Sequence, residues 1–260
     1  MITSTSSSQV KHVVQLQKKS KTRKEFLEFV VEGNKMVAEA PKDRVVKVYV
    51  SENFNNMNLD YIRELNIEDK KIEIVSDSVF MQMSDTKTPQ GVMAIVKMAQ
   101  YEVNDILGEN ALIIAVENLQ DPGNLGTILR MGEGAGITGV IMSSNTVDIY
   151  NPKTIRSTMG SIYRVPFFYA KDFNEELEQL KENGVKIYAA HLDGKNTYTQ
   201  ESYKNATAFL IGNEGNGLTD SVTKKADTLI KIPMQGQVES LNAAIACTIL
   251  TYEAVRQRTV

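Results

Sequence analysis

The chain has 260 residues, of which 42% are hydrophobic and 23% charged, and its net charge is −3. This length suits one large domain or two modest ones with packed cores. The nearly neutral charge excludes RNA binding through an overall positive field, so RNA contacts would require local clusters of Lys and Arg. A single cysteine excludes an intrachain disulfide, and no apolar run approaches the ~20 residues that span a bilayer. We therefore expect a cytoplasmic protein without membrane contact.

The first hundred residues alternate predicted helices and strands. Residues 1–8 are rich in Ser and Thr, carry no hydrophobic signal segment and are expected to be disordered. Apolar periodicity and Val-rich runs then predict, in order, a helix over 10–24, a strand over 26–32, a helix over 35–40, a strand over 45–51, a helix over 59–65, and strands over 72–75 and 92–96. This order predicts a small α/β domain over residues 1–98 and a polar linker over 99–110.

The first predicted helix is strongly basic. No acidic residue interrupts its six cations, which are Lys11, Lys18, Lys19, Lys21, Arg23 and Lys24. Two interpretations fit this run equally well: a helix face exposed to solvent, or a surface that contacts RNA phosphates. We treat these residues, together with Arg156 in the second half, as candidate RNA-binding residues.

Residues 111–260 predict a second α/β domain. Strands are predicted over 112–116, 140–142, 186–190, 209–211 and 229–232, and helices over 124–136, 152–159, 173–180 and 241–255. The run at 112–116 is continuously apolar, as expected of a parallel strand buried on both faces.

A first candidate site follows that buried strand. Residues 118–126 (NLQDPGNLG) lead into a helix that carries Arg130. Gly123 and Gly126 would allow a tight turn and a close approach to a ligand, and the helix N-terminus suits a phosphate. Arg130 can make a bidentate contact with a phosphate or ribose oxygen. The alternative is an ordinary strand–turn–helix connection capped by Asn or Asp.

A glycine repeat just downstream has a different interpretation. Gly132, Gly134 and Gly136 match the G-x-G-x-G spacing of dinucleotide-binding loops, but such a loop should directly follow a strand. These glycines lie at the end of a predicted helix. We therefore interpret them as close packing and a helix stop, which argues against a Rossmann-type dehydrogenase.

A second and a third candidate site also follow predicted strands. In residues 209–218 (FLIGNEGNGL), Glu214 could bind ribose hydroxyls, cap a backbone, hold Arg130, or simply be solvated. After the strand at 229–232, Ser240 is a natural N-cap, and Asn242 can point its amide into a cleft. Three strand-end turns of one parallel sheet can converge on a single crevice.

The remaining chemistry-bearing residues are few. His12 and His191 are the only histidines, which leaves little material for a His-based triad or a metal site. Cys247 lies in the apolar final helix and is interpreted as a small buried hydrophobe.

These turns resemble the motifs of the SpoU/TrmH family of RNA ribose 2′-O-methyltransferases, within the SPOUT class. The resemblance runs from about Leu112 to the end, and its motifs fall, in order, at Asn124-Leu125-Gly126 with Arg130, at Ile211-Gly212-Asn213-Glu214-Gly215, and at Ile232-Pro233-Met234 followed by Ser240-Leu241-Asn242. The N-terminal part resembles the small L30e-like substrate-binding domain of many members through Val10-Lys11-His12, Glu32-Gly33 and Thr88-Pro89-Gln90-Gly91-Val92.

The resemblance implies a C-terminal trefoil knot, a homodimer, S-adenosylmethionine as methyl donor and no metal. It implies donor contacts at Ile211, Gly212, Ile232, Met234 and Leu241. It places the catalytic machinery at Arg130, Asn124, Glu214, Ser240 and Asn242. Two departures, Gly132 where relatives usually have Ala and Thr158 where many have Ser, leave this expectation in place.

The implied reaction is an in-line attack of a ribose 2′-oxygen on the donor's methyl carbon. Arg is a poor base at neutral pH, so we expect Arg130 to stabilise the developing alkoxide and to grip the neighbouring phosphate. Whether Arg130 serves its own site or that of a partner subunit is left open. The appended N-terminal domain favours large-subunit ribosomal RNA as substrate; transfer RNA, or RNA binding without catalysis, are the alternatives.

Overall fold

The computed structural model describes residues 1–259 as an alternating series of helices and strands. The helices are α1 (Ser8–Lys18), α2 (Ser20–Phe26), α3 (Asn34–Ala38), α4 (Glu52–Met57), α5 (Leu59–Glu64), α6 (Asp77–Met83), α7 (Pro122–Ala135), α8 (Pro152–Thr158), α9 (Phe173–Glu182), α10 (Asp220–Thr223) and α11 (Ala243–Thr259). The strands are β1 (Glu28–Glu32), β2 (Val45–Ser51), β3 (Ile72–Val75), β4 (Val92–Lys97), β5 (Leu112–Val116), β6 (Gly139–Met142), β7 (Phe167–Tyr169), β8 (Lys186–Ala190), β9 (Asn196–Thr197), β10 (Thr207–Ile211) and β11 (Thr228–Lys231).

The chain forms two compact units. Unit 1 comprises Met1–Ala99 and Asp148–Tyr163, and unit 2 comprises Gln100–Val147 with the described part of Arg164–Val260. Residues 148–163, which contain α8, therefore pack with the N-terminal segment, although they lie within the second half of the sequence. The sequence pattern does not reveal that residues 148–163 pack with residues 1–99, because this association depends on tertiary contacts.

Unit 1 is built on a four-stranded sheet in the order β1-β4-β2-β3. β4 pairs antiparallel with β1 and β2, and β2 pairs parallel with β3. α1 contributes Val10, Val13 and Leu16 to the core, and their spacing of three places them on one buried helix face. The mixed α/β character predicted for this region is confirmed.

The predicted elements of unit 1 differ from the structure in three places. The helix expected over 10–24 is interrupted at Lys19, whose backbone is extended, so that α2 starts a new direction. α4 and α6 were not predicted, because helices of six and seven residues are too short to show a clear apolar period. Ile2, in the segment expected to be disordered, forms a parallel bridge with Val75 at the edge of the sheet.

Arg23 is a correction to the predicted RNA-binding set. Its side chain is buried, and its guanidinium donates to the carbonyl oxygens of Leu16 (2.6 Å) and Gln17 (3.0 Å). The same group forms an ion pair with Asp148, in which Nε and Nη2 both donate to Oδ2, at 3.0 and 2.5 Å. Because its donors are directed at protein acceptors, Arg23 holds the α1–α2 bend in place rather than contacting phosphate.

Replacing Arg23 by Met should therefore destabilise the protein. Removing one partner of a largely buried ion pair leaves Oδ2 of Asp148 and two carbonyls without their Arg23 donors, and we expect the free energy of unfolding to fall by about 3 kcal/mol. Urea unfolding followed by circular dichroism measures this. Lys24→Met changes an exposed neighbour and should shift the free energy by less than about 0.5 kcal/mol. Equal effects of the two substitutions would contradict the structural role of Arg23.

Unit 2 is a seven-stranded parallel sheet in the order β7-β6-β5-β10-β8-β11-β9. All residues of β5 and β10 are buried, which explains their continuous apolar runs. In register, Val116 pairs with Ile211, and Ala190 pairs with Ile230. The segments that follow β5, β10, β8 and β11 therefore leave the sheet at the same edge, as the three candidate turns required.

α11 begins later than the sequence indicated. Its N-cap is Asn242, whose Oδ1 accepts from the N–H groups of Ala244 (2.9 Å) and Ile245 (3.3 Å). Ser240 lies two residues earlier in an extended loop, so its predicted capping role is wrong; Ser and Asn cap equally well, and only the loop path decides between them. Cys247 is fully buried, as predicted, and burial raises the pKa of its thiol to about 12. No helix within residues 1–259 is long and apolar enough to cross a membrane.

Two other segments of unit 2 clarify the sequence patterns. The glycine repeat ends α7: Gly136 takes a left-handed conformation (φ 70°) at the C-cap, and a Cβ on Gly132 would lie 2.3 Å from Ile137 Cδ1. Packing and a helix stop thus account for that repeat, as expected. The predicted linker is ordered around Ile106, which is fully buried in the core of unit 2.

Candidate functional site

A pocket of about 500 Å³ opens at the carboxyl edge of the parallel sheet in unit 2. Its walls come from the segments after β8, β10 and β11 and from the start of α11. The predicted site residues in its lining are Ile211, Gly212, Glu214, Ile232, Met234, Ser240, Leu241 and Asn242. This edge is where open α/β sheets bind ligands, so the second and third candidate turns form one crevice.

The loop after β10 is closed on itself by close backbone packing. Asn213 and Gly217 exchange two backbone hydrogen bonds of 3.0 and 2.9 Å. A Cβ added to Gly212 would lie 2.3 Å from the carbonyl carbon of Gly217, so only glycine fits at position 212. Gly217 has φ 68°, which glycine adopts without strain. These requirements explain why this turn is so rich in glycine.

Glu214 joins the second turn to the first. Its carboxylate accepts hydrogen bonds from the backbone N–H groups of Gln120 (3.1 Å) and Asp121 (3.0 Å) and from the side-chain amide of Asn124 (3.0 Å). Of the roles considered for Glu214, the structure therefore favours backbone capping at the start of α7. Partial burial raises the pKa of Glu214, but these three hydrogen bonds outweigh burial and hold the pKa below its ordinary value of 4.5.

The depressed pKa of Glu214 predicts how the site responds to acid. A carboxyl with a lowered folded-state pKa stabilises the native arrangement above its unfolded pKa, and this stabilisation is lost as pH falls through the folded value. Because the ionised carboxylate of Glu214 holds the first turn against the second, ligand affinity of the pocket should not depend on this carboxyl from pH 8 to about pH 5 and should decline as the carboxyl is protonated at lower pH. Glu214→Gln, which replaces one acceptor oxygen by a donor, should weaken ligand binding at every pH. Calorimetric titrations at several pH values measure both effects; equal affinity of the Gln variant and the parent chain at pH 7 would contradict this role.

The third turn joins the same hydrogen-bond network. Asn242 donates from Nδ2 to Oδ1 of Asn124 (2.9 Å), while Nδ2 of Asn124 donates to Glu214. Asp121 caps α7 by accepting from the N–H of Asn124 (2.8 Å). The first turn is therefore held against the other two, although Asn124 itself does not line the pocket. Gly123 lies within the first turn of α7, and the left-handed residue of this connection is instead Asn118, with φ 54°.

Two further anchors were not singled out by the sequence. Buried Glu117, directly after β5, accepts from the backbone N–H (2.8 Å) and the hydroxyl (2.7 Å) of Thr219. Asn213 donates from Nδ2 to the carbonyl oxygen of Asn118 (2.8 Å). Together with Glu214, these contacts tie both ends and the middle of the β10 loop to the segment after β5. The signal for Glu117 was a carboxylate that immediately follows a fully buried strand.

The pocket offers both apolar walls and available backbone donors. Ile211 and Ile230 are buried at its base. Within residues 1–259, the backbone N–H groups of Ile232, Met234 and Leu241 donate to no other protein atom. An apolar cleft with unpaired backbone donors suits a flat, hydrogen-bonding ring system.

One wall of the pocket was missed by the sequence analysis. The segment after β8 contributes His191, Leu192 and Asp193. Nδ1 of His191 accepts from the N–H of Asp193 (3.1 Å), and the N–H of His191 donates to Ile230 (2.9 Å). The predicted strand at 186–190 ends at this edge, so its following residues carried the same positional signal as the other turns.

The structure does not gather all the predicted site residues. Arg130 lies exposed on α7, outside the pocket lining, and its guanidinium donates to no residue among 1–259. The candidate RNA-binding residues all lie in unit 1, and the exposed ones are Lys11, Lys18, Lys19, Lys21, Lys24 and Arg156. Arg156 is 41% exposed and donates to Asp85 (2.8 Å), so it is only partly available.

Comparison with known proteins identifies both parts of the chain. The model of the SpoU rRNA Methylase family matches residues 111–252, and that of the MRM3-like substrate binding domain matches residues 7–94. The 23S rRNA (guanosine(2553)-2′-O)-methyltransferase RlmP of Bacillus subtilis (strain 168) is 32% identical over 239 residues, covering 90% of this chain and 92% of RlmP.

Solved structures agree over the full length. The crystal structure of an rRNA methyltransferase from Sinorhizobium meliloti superposes with a TM-score of 0.86 at 29% identity, covering 98% of this chain and 96% of the other. That of the SpoU methyltransferase AviRb from Streptomyces viridochromogenes, in complex with the cofactor AdoMet, gives 0.86 at 26% identity, with 97% and 98% covered. A parallel sheet with a pocket at its carboxyl edge, three joined turns and a family match over more than half of the sequence lead to one conclusion: the chain belongs to the SpoU rRNA methylase family and is an RNA methyltransferase.

Proposed function

We propose that this enzyme transfers a methyl group from S-adenosylmethionine to a ribose 2′-hydroxyl of large-subunit ribosomal RNA. The observation that carries this proposal is the hydrogen-bond chain Glu214–Asn124–Asn242, which joins three turns at the rim of one pocket. The similarity to RlmP over 92% of that protein's length supports the choice of ribose and of 23S RNA.

The pocket fits the donor. Its volume of about 500 Å³ accommodates a nucleoside with an amino-acid side arm, and the close packing of Gly212 against Gly217 shapes the wall that the second turn contributes. The residues that would hold the donor are Ile211 and Gly212 in the second turn and Ile232, Met234 and Leu241 with their unpaired N–H groups. When bound, S-adenosylmethionine supplies an electrophilic methyl group.

Arg130 is the catalytic residue of this proposal. Its exposed guanidinium has no protein partner within residues 1–259 and is therefore available to RNA. A permanent cation can stabilise the negative charge that develops on the attacking 2′-oxygen and can bind the adjacent phosphate. Asn124, Glu214 and Asn242 act as positioning residues, because their side chains are engaged with one another. Ser240, exposed at the pocket rim, would contact the target nucleotide.

Methyl transfer to defined RNAs tests the substrate and the position together. The enzyme is incubated with tritiated S-adenosylmethionine and unmodified 23S RNA or transfer RNA, and labelled RNA is hydrolysed in alkali. We expect label in 23S RNA within an alkali-resistant dinucleotide, because a 2′-O-methyl group blocks cleavage at its own phosphate. Label in mononucleotides would contradict ribose methylation, and label only in transfer RNA would contradict the ribosomal substrate. Bound donor without labelled RNA of either kind would favour an RNA-binding protein without catalysis.

Three further expectations, on the knot, the oligomeric state and the cellular location, accompany this function. We infer that the segment from the β10 loop to α11 forms the trefoil knot of the family, that the active enzyme is a homodimer, and that it works in the cytoplasm, where ribosomal RNA is found. Light scattering coupled to gel filtration checks the dimer, for which we expect twice the mass of 29.0 kDa.

A further inference from the structure

The turn between α2 and β1 in unit 1 exposes two large apolar side chains. Phe26 is 52% exposed and Leu27 is 46% exposed. Leu27 has φ 53° and ψ 39°, a left-handed conformation that crowds Cβ and that glycine would adopt without strain. Leu27 is the C-cap of α2 and its N–H donates to the carbonyl oxygen of Arg23, but this cap does not require two large apolar side chains at the surface. Their exposure indicates a role for this turn at the surface.

The Phe26 ring is held in a fixed orientation. It packs against the ring of His12 in an edge-to-face arrangement, with centroids 4.7 Å apart and an interplanar angle of 71°. Nε2 of His12 lies 2.9 Å from Oε2 of Glu28, which fixes the imidazole in turn. Below this turn, buried Arg23 holds α2 in place through Asp148. The aromatic surface is therefore preorganised.

Four exposed lysines lie on α1, on α2 and at the bend between these helices. Lys19 is the extended N-cap residue of α2, and Phe26 is the last residue of the same helix. Lys11 is adjacent to His12 on α1. Lys21 and Lys24 lie on the opposite side of α2 from Phe26 by helical geometry. None of these four lysines forms an ion pair with any residue between 1 and 259.

We propose that Phe26 and Leu27, flanked by Lys11 and Lys19, form a docking surface for an unpaired nucleotide of the substrate RNA. The base stacks on Phe26 and packs against Leu27, and the two lysines contact the phosphates on either side. An exposed aromatic ring in a segment with exposed lysines is the combination that a single-stranded nucleic acid requires, whereas a protein partner would not need the positive charge. The inference rests on the proposed function for its choice of RNA.

Substitution of the aromatic ring tests the stacking. In the full-length chain, Phe26→Ala should raise the dissociation constant for a fluorescein-labelled single-stranded RNA decamer about tenfold, measured by anisotropy. Phe26→Tyr should restore binding, and Phe26→Leu, which keeps apolar area without a π face, should not. Met57→Ala removes another exposed apolar side chain of unit 1, 76% exposed, and should leave binding unchanged. If Phe26→Leu binds as tightly as the parent chain, stacking is excluded and the proposal fails.

Substitution of the lysines tests which of them contact the RNA phosphates. The double variant of Lys11→Ala and Lys19→Ala should lower the slope of log affinity against log salt by about 1.4, since each contact to single-stranded RNA contributes ~0.7. The matched double variant of Lys21→Ala and Lys24→Ala should change the slope by less than half of that amount. Equal losses in the two pairs would overturn the assigned face.

Two controls distinguish a failure of the proposed docking surface from a failure of the proposed methyltransferase function. In methyl transfer, Phe26→Ala should raise KM for 23S RNA about tenfold with kcat within about twofold, and donor affinity should be unchanged. If the parent chain transfers no methyl group, the proposed function fails, while the decamer still decides whether the surface binds RNA. Binding to phosphatidylserine vesicles that depends on Phe26, without binding to the decamer, would assign the surface to lipid and contradict the proposal.

Discussion

Arg130→Ala is expected to lower methyl transfer by about 10²–10³-fold while leaving the affinity for S-adenosylmethionine within about twofold. Loss of a preorganised positive group from a site of developing oxyanion charge has an effect of this size. The donor pocket should be unaffected, because Arg130 does not contribute to its lining. The fold should also be unaffected, since the side chain is exposed and has no partner among residues 1–259.

Single-turnover methyl transfer and calorimetry with the donor measure the two quantities separately. Arg130→Lys keeps the charge but loses the planar fork, so we expect activity between those of the parent and the Ala variant. Thr127→Ala changes another exposed residue of α7 and serves as the control, with activity within about twofold. Near-normal turnover of Arg130→Ala would show that Arg130 has no catalytic role.

Gly212→Ala is expected to weaken donor binding more than alanine at either of the other two glycines of the β10 loop, Gly215 and Gly217. An added Cβ would lie 2.3 Å from the carbonyl carbon of Gly217 and 2.4 Å from the nitrogen of Leu218. Both are backbone atoms, so the loop must open and the Asn213–Gly217 pair must separate. We expect the dissociation constant for S-adenosylmethionine to rise at least about tenfold and the free energy of unfolding to fall by about 1–3 kcal/mol.

Gly215→Ala provides the matched control in the same loop. Its Cβ would meet only the side-chain oxygen of Asn213, at 3.6 Å, which is an ordinary contact. Gly217→Ala separates crowding from conformation, because its Cβ meets nothing within 4 Å but its φ of 68° is strained for alanine. We expect donor affinity in the order Gly215→Ala, Gly217→Ala, Gly212→Ala, from strongest to weakest. If Gly212→Ala binds the donor as well as Gly215→Ala, close backbone packing is not what shapes the pocket.

Much of the sheet in unit 2 could be predicted from the sequence. β5 and β8 have the bounds that their apolar runs indicated, and β10 begins two residues earlier than predicted. Buried parallel strands leave this continuous signal because both faces are covered. The candidate turns were found for a related reason: Gly, Pro and Asn concentrate where parallel strands end, and ligands bind at that edge.

Long-range contacts decided the features of the site that the sequence did not predict. Arg23 belongs to a basic run, but its guanidinium is satisfied by Asp148, 125 residues away. The resemblance placed Asn124 in the catalytic machinery, and only the structure showed that its amide lies between Glu214 and Asn242. His191 reaches the pocket only because β8 lies between β10 and β11 in the sheet.

The sequence by itself determined the local patterns: which runs are strands, where glycine is needed, and which turns carry polar groups. These depend on side-chain size, polarity and backbone freedom over a few residues. Only the tertiary structure decided which of those groups meet. It set the strand order, and it buried one cation of the basic run while leaving five exposed. It also brought Glu214, Asn124 and Asn242 into one series of hydrogen bonds, across sequence separations of 90 and 118 residues. Hydrogen bonds and ion pairs act over a few ångströms in space, and the sequence pattern does not reveal which distant residues come within that range.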